Sequence, residues 1–173
     1  MQVSFLLVGV LPVLLVAAAI FDLTSFTIPN ILPGAMLALF LMFLSGMAFS
    51  GHPVSWNEIS GHLMAAGLGL IAGMILFAFR WIGGGDAKLF AMICLWLGWD
   101  SMLNYAVTAS IAGGLLTLAL LSLRGFPLPV FLRRPWILRL LDPKGAIPYG
   151  VALAGAALLI LPGTEIFHLA TAR

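Results

Sequence analysis

Six apolar segments, separated by short polar or glycine- and proline-bearing stretches, occupy more than half of this 173-residue chain. They run over about residues 3–21, 31–50, 59–81, 87–99, 105–123 and 147–161. About 20 apolar residues coiled as a helix match the hydrocarbon thickness of a bilayer, and a helix satisfies its own backbone polar groups there. The pattern predicts an all-α fold, a polytopic membrane bundle of about six transmembrane helices forming one integral-membrane domain over 1–173. Only 8% of residues are charged, against roughly 25% in an average soluble domain. With 62% hydrophobic residues and a mean hydropathy of +1.16, the outer surface must be solvated by lipid. Eight basic residues and a net charge of +2 make no nucleic-acid surface.

The first segment ends in Ala17-Ala18-Ala19, similar to a signal-peptide cleavage region, but no Lys or Arg precedes it, so it reads as a retained helix. Asp22 opens a polar stretch to Asn30 in which Pro29 interrupts any continuing helix. Residues 51–58 read as a loop, with Trp56 suited to the interface. The third segment is rich in Gly and Ala, which lets helix backbones approach closely and predicts a place at the centre of the bundle. The fourth, at about 20 Å, is short for a bilayer. Either it starts within the membrane from a recessed Gly83-Gly84-Gly85 turn, or the bilayer thins locally. Asp100 marks its far end. The connection from Arg124 to about Ala146 interleaves Phe131-Leu132, Trp136-Ile137-Leu138 and Leu140-Leu141 with Arg133, Arg134 and Arg139, the pattern of an amphipathic surface helix.

Five of the eight basic residues (Arg124, Arg133, Arg134, Arg139, Lys144) fall in that connection, which the positive-inside rule assigns to the cytoplasm. With six spans, the connections after the first, third and fifth share a face. Asp22 and Asp86 then lie at the cytoplasmic side, Glu58, Asp100 and Glu165 at the other, and the N-terminus outside.

A carboxylate in the hydrocarbon region costs about 2.5–3.5 kcal/mol on insertion scales and marks a functional site by default. Two carboxylates held together in a partly dry site tend to share one proton. The ionised one draws a proton from water, while the protonated one polarises a peptide carbonyl and later helps the amine leave. This is aspartic-protease chemistry, and it needs Asp side chains from separate elements. Taken alone, Asp86 reads equally as a helix cap and Asp22 as an interfacial residue. Gly83 and Gly85 free backbone angles and let an extended peptide pass closely; the same run also makes a tight turn. Lys88, two positions on, does not share a helical face with Asp86. It reads as either a topology anchor or a site residue. Asn30 is placed to hydrogen-bond near the site, and Pro148-Tyr149-Gly150 to set the start of the last helix rather than to contact substrate.

The single cysteine, Cys94, lies inside an apolar run, which excludes an internal disulfide and a cysteine-based zinc site. It reads as packing. His52, His62 and His168 share no metal-ligand spacing, so neither a metal nor a cofactor is expected.

Asp22 with Ile28-Pro29-Asn30, Gly83-x-Gly85-Asp86-x-Lys88-Leu89, and Pro148-Tyr149-Gly150-x-Ala152 resemble, in order and position, the type IV prepilin leader peptidases, G-x-G-D intramembrane aspartyl proteases. The resemblance covers about residues 5–162 and is nearest the short form that serves tight-adherence (Flp-type) pili. It implies a bacterial inner-membrane peptidase domain whose Asp22 and Asp86 match the family's catalytic pair. Its substrates would be prepilins or pseudopilins, cut after a glycine at the cytoplasmic end of their apolar helix. Longer relatives carry paired cysteines in a cytoplasmic domain associated with methylating the new N-terminus, so methyl transfer is not expected. Thr24 stands where relatives often have a basic residue. The rival from another class is a small cation or proton transporter or channel using the same two aspartates; a noncatalytic assembly subunit has no need of both. The sequence leaves the oligomeric state and the particular pilin open.

Overall fold

The computed structural model describes residues 2–124, 134–143 and 145–171, with side chains over 9–124, 134–143 and 145–169. Helix α1 (Gln2–Ser25) buries Leu11, Leu15, Ala18 and Asp22. Their spacing of three and four draws one stripe down the helix, so Asp22 lies in line with core leucines. Val13, Val16 and Ile20, on other faces, are exposed. The helix closes at Phe26, whose left-handed φ of 55° accompanies an N–H donated to the Asp22 carbonyl at 2.9 Å.

After Pro29, α2 (Ile31–Phe49) buries Leu32, Met36, Phe40, Phe43 and Met47. A capping box starts α3 (Trp56–Ala78): the Glu58 N–H donates to Ser55 Oγ at 3.3 Å, and the Ser55 N–H donates to Glu58 Oε2 at 2.6 Å. Arg80, with φ 58°, ends it. The Trp81 N–H donates to the Leu76 carbonyl and the Arg80 N–H to that of Phe77, closing the left-handed helix end that a glycine usually supplies.

Helix α4 (Gly84–Leu123) is interrupted at Gly98, whose φ of 75° and ψ of 178° are not helical. Phe90 and Tyr105 stack with ring centroids 5.4 Å apart, whereas fifteen residues of straight helix would separate them by about 22 Å. The chain therefore folds back at Gly98, and limbs 84–97 and 99–123 are two antiparallel helices. The fourth and fifth segments expected from sequence are thus present, but the polar connection expected at 100–104 is helical, and the reversal is a single glycine. Only glycine readily takes that φ and ψ, and a Cβ there would lie 2.8 Å from His62 Cε1. His62 Nδ1 sits 2.8 Å from the Leu95 carbonyl; since a carbonyl only accepts, Nδ1 is the protonated nitrogen.

Limb 84–97, not α3, is the central element: Asp86, Ala87, Leu89, Ile93, Trp96 and Leu97 are among its buried residues. The expectation for α3 is corrected here. Among its small residues, Gly69 and Gly73 lie so close to α4 that an added Cβ would meet Cys94 Sγ at 2.9 Å and Ala87 Cα at 3.0 Å, whereas Gly67 is exposed and open on the other side. Leu63, Met64, Ile71, Met74 and Ile75 remain exposed on the outside. Small residues there serve one close interface, and Cys94 packs into it. Trp96 ties the core to α2, donating Nε1–H to the Met36 carbonyl at 3.0 Å and meeting Phe40 edge-on at 5.5 Å.

Helix α5 (Pro135–Leu140) is the described part of the expected surface helix; Phe131, Leu132, Arg133 and Lys144 lie outside the described residues. It is followed by α6 (Tyr149–Ile160), a 3-10 turn (Leu161–Gly163) and α7 (Glu165–Thr171). Among the described residues there is no strand. Three helices, Ile31–Phe49, Trp56–Ala78 and Gly84–Leu123, are long and apolar enough to cross a membrane, and Gly9–Ser25 and Tyr149–Gly163 are shorter apolar ones. The protein is an all-α, multi-pass membrane helix bundle.

Candidate active site

The last turn of α1, the first turn of α4 and the first turn of α6 converge at one end of the bundle. They bring Asp22 and Asp86 together, 4% and 6% exposed and near enough to interact electrostatically. Each carboxyl is held by backbone. The Gly83 N–H donates to Asp86 Oδ2 at 3.1 Å, so Asp86 caps its own helix as well as entering the site. Asp22 Oδ2 accepts the Gly150 N–H at 2.6 Å, and the Val151 N–H also acts on it. These are free N–H groups of the first turn of α6. The residue preceding that helix, Pro148, supplies no side-chain cap, and a carboxylate from α1 takes its place. The Gly150 N–H also acts electrostatically on Asp86, while its hydrogen bond goes to Asp22. Asp86 Oδ1 is buried and without a hydrogen-bond partner among the described residues.

Gly150 belongs to a motif that carried the family resemblance, but its expected role was only to set the start of the last helix, and the structure places it in the site instead. A Cβ on it would lie 2.8 Å from Asp22 Oδ2 and 2.9 Å from Ile28 Cδ1. The expectation for the glycine run is also corrected: neither Gly83 nor Gly85 has a positive φ, because the turn is made earlier, at Arg80. What Gly85 provides is proximity to Ile28, whose Cβ would lie 3.1 Å from an added Cβ. The approach is intramolecular and locks the α1–α2 connection against α4. Lys88 and Asn30 do the same at the rim, with Nζ donating to Asn30 Oδ1 at 2.8 Å in an exposed position. Asn30 thus bonds Lys88 beside the site rather than either aspartate.

Arg124 is another residue whose role the sequence disguised. Counted there as a topology charge, its guanidinium donates to the carbonyls of Leu140, Gly145 and Ala146 at 3.0 to 3.2 Å. It clasps the connection that delivers Pro148 and Gly150 to the site.

Glu58, Asp100 and Glu165 gather elsewhere, with His62, around a polar cavity of about 580 Å³ beside the Gly98 reversal. Burial, and then the facing Glu58 carboxyl, push Glu165 above its ordinary value. Among the described residues, no three His, Cys, Asp or Glu are placed to hold a metal ion.

Residues 9–118 match the model of the type IV leader peptidase family. The chain belongs to this family. It is similar to a prepilin leader peptidase/N-methyltransferase of Pectobacterium carotovorum subsp. carotovorum, 30% identical over 116 residues. That match takes in 64% of this chain and 39% of the relative, so the chain spans well under half of the relative's length. No solved structure matches the chain. The family match contains Asp22, Gly83, Gly85, Asp86 and Lys88 and stops short of Gly150, so the place of α6 in the candidate site is seen in the coordinates and not in the family match.

Proposed function

We propose that this protein is an intramembrane aspartic endopeptidase of prepilins or pseudopilins, with Asp22 and Asp86 as its catalytic pair. What carries the proposal is one observation: two carboxyls from separate helices lie buried side by side, oriented by backbone donors and, at Asp86 Oδ1, with an acceptor left free. With one proton between them, the ionised carboxylate takes a proton from water as its oxygen adds to the scissile carbonyl carbon. The protonated carboxyl gives its proton to the carbonyl oxygen, and the amine leaves with a proton as the intermediate collapses. The Gly150 and Gly83 N–H groups hold the two carboxyls in place, which supports a preorganised pair. Gly85, Lys88 and Asn30 shape the site by locking the α1–α2 connection to α4.

The substrate is a prepilin-like chain, a basic leader followed by glycine and an apolar helix, of the Flp type in our reading, cut at the cytoplasmic face of a bacterial inner membrane with the N-terminus outside. Family membership favours this over ion or proton transport, and so does the position of both aspartates at helix ends rather than mid-span. The proposal covers peptide cleavage only. Co-expression with a prepilin, followed by mass spectrometry of both products, tests it: release of the leader by a cut after the glycine is the expected result. An uncut substrate, with ion flux that depends on both aspartates, contradicts it.

A further inference from the structure

Beside the aspartates, a cavity of about 650 Å³ opens between the end of α3, limb 99–123 and the start of α6. Its floor follows one face of the limb, through Ala106, Ser110, Gly114 and Thr117, spaced by three and four and about 17 Å long. The two hydroxyls on that face are turned into their own helix: Ser110 Oγ donates to the Ala106 carbonyl and Thr117 Oγ1 to that of Gly113, each at 2.7 Å. The floor therefore presents carbon and small side chains, a surface for an apolar helix and not for a polar ligand. The lining of the groove reaches residues adjoining the catalytic end. Ile82 and Tyr149 line it, and each is followed directly by the glycine whose N–H holds a catalytic carboxyl, Gly83 for Asp86 and Gly150 for Asp22.

Resting on the peptidase reading above, we infer that this groove takes the apolar helix of the substrate, laid lengthwise along limb 99–123 with its leader-bearing end at Asp22 and Asp86. The enzyme then binds helix and scissile segment at two adjoining places. The helix supplies affinity, and the chain between Ile82 and Tyr149 enters the site.

Gly114 provides a clean probe. It is exposed, an added Cβ there meets nothing within 4 Å, and Gly114→Leu fills the groove without disturbing the fold. Gly67→Leu, equally exposed and open on the outer face of α3, is the control. For a full-length prepilin, Gly114→Leu should raise KM by about tenfold with kcat little changed, the pattern of lost ground-state binding. Gly67→Leu should match the parent. A peptide holding the leader and only the first residues after the cut should be cleaved equally by all three. Since Cys94 is the sole cysteine and is buried, Gly114→Cys should also form disulfides with cysteines placed along one face of the substrate helix. Unchanged KM for the full-length prepilin, or cross-links absent from that helix, would overturn the inference while peptide cleavage leaves the peptidase standing; a groove held by lipid alone gives that result. Failure of the parent to cut either substrate removes both.

Discussion

The Gly150 N–H donates to Asp22 Oδ2 at 2.6 Å, a hydrogen bond that joins residues 128 positions apart. It makes the first turn of α6 part of the site, and it explains why this position has no side chain. Gly150→Ala sets a methyl against Asp22 and Ile28, and a misplacement of about 1 Å at a reacting group costs about 10²-fold in rate. Leader cleavage should fall by that order. Adding Ile28→Val relieves only the contact with Ile28 Cδ1, so rescue should be partial. Full rescue would make the defect one of packing.

Gly98 holds the reversal between the limbs of α4. Its backbone angles are costly for any other residue, and a methyl would strike His62. Gly98→Ala should destabilise the protein by about 2–5 kcal/mol, summing strain and overpacking, read as a lowered Tm in detergent. His62→Ala in the same chain should return part of the loss.

Arg124 acts through geometry that lysine lacks. One guanidinium reaches three carbonyls, whereas an ammonium offers a single point. Arg124→Lys keeps the topology charge yet should slow cleavage by loosening Gly150, with membrane orientation unchanged in a reporter-fusion assay. Parent-like cleavage would limit Arg124 to topology.

Glu165 favours its protonated form in the folded protein, chiefly through burial and then the facing Glu58. A carboxyl raised in this way contributes stability below its ordinary value, and that contribution is lost as pH rises through the raised one. At neutral pH, Glu165→Gln should therefore raise Tm slightly, by no more than about 0.5 kcal/mol in an exposed, screened setting. At low pH the difference should vanish.

The membrane bundle was legible in the sequence because lipid demands long apolar runs, and Asp22 and Asp86 because charge there is expensive. Parity of the spans put the pair on one face. Other features required coordinates. A glycine reversal at Gly98 leaves no polar loop for hydropathy to register, and the small face of α3 looks the same for a central helix as for a peripheral one with a single close neighbour. Gly150 was visible within a resemblance motif, but its role was not, because it contributes a backbone N–H, which every residue but proline possesses. Arg124 was visible as a charge, but its hydrogen bonds depend on how the chain from 134 to 146 returns.

The most direct measurement is the rate of leader cleavage by purified Asp22→Asn and Asp86→Asn proteins acting on a prepilin in bilayers. Asparagine retains an oxygen to accept the Gly150 or Gly83 N–H, so both variants should fold with parent-like Tm. Each should lose about 10²- to 10⁴-fold in rate, the contribution of a positioned acid or base. Parent-like processing by either folded variant would contradict a two-aspartate mechanism.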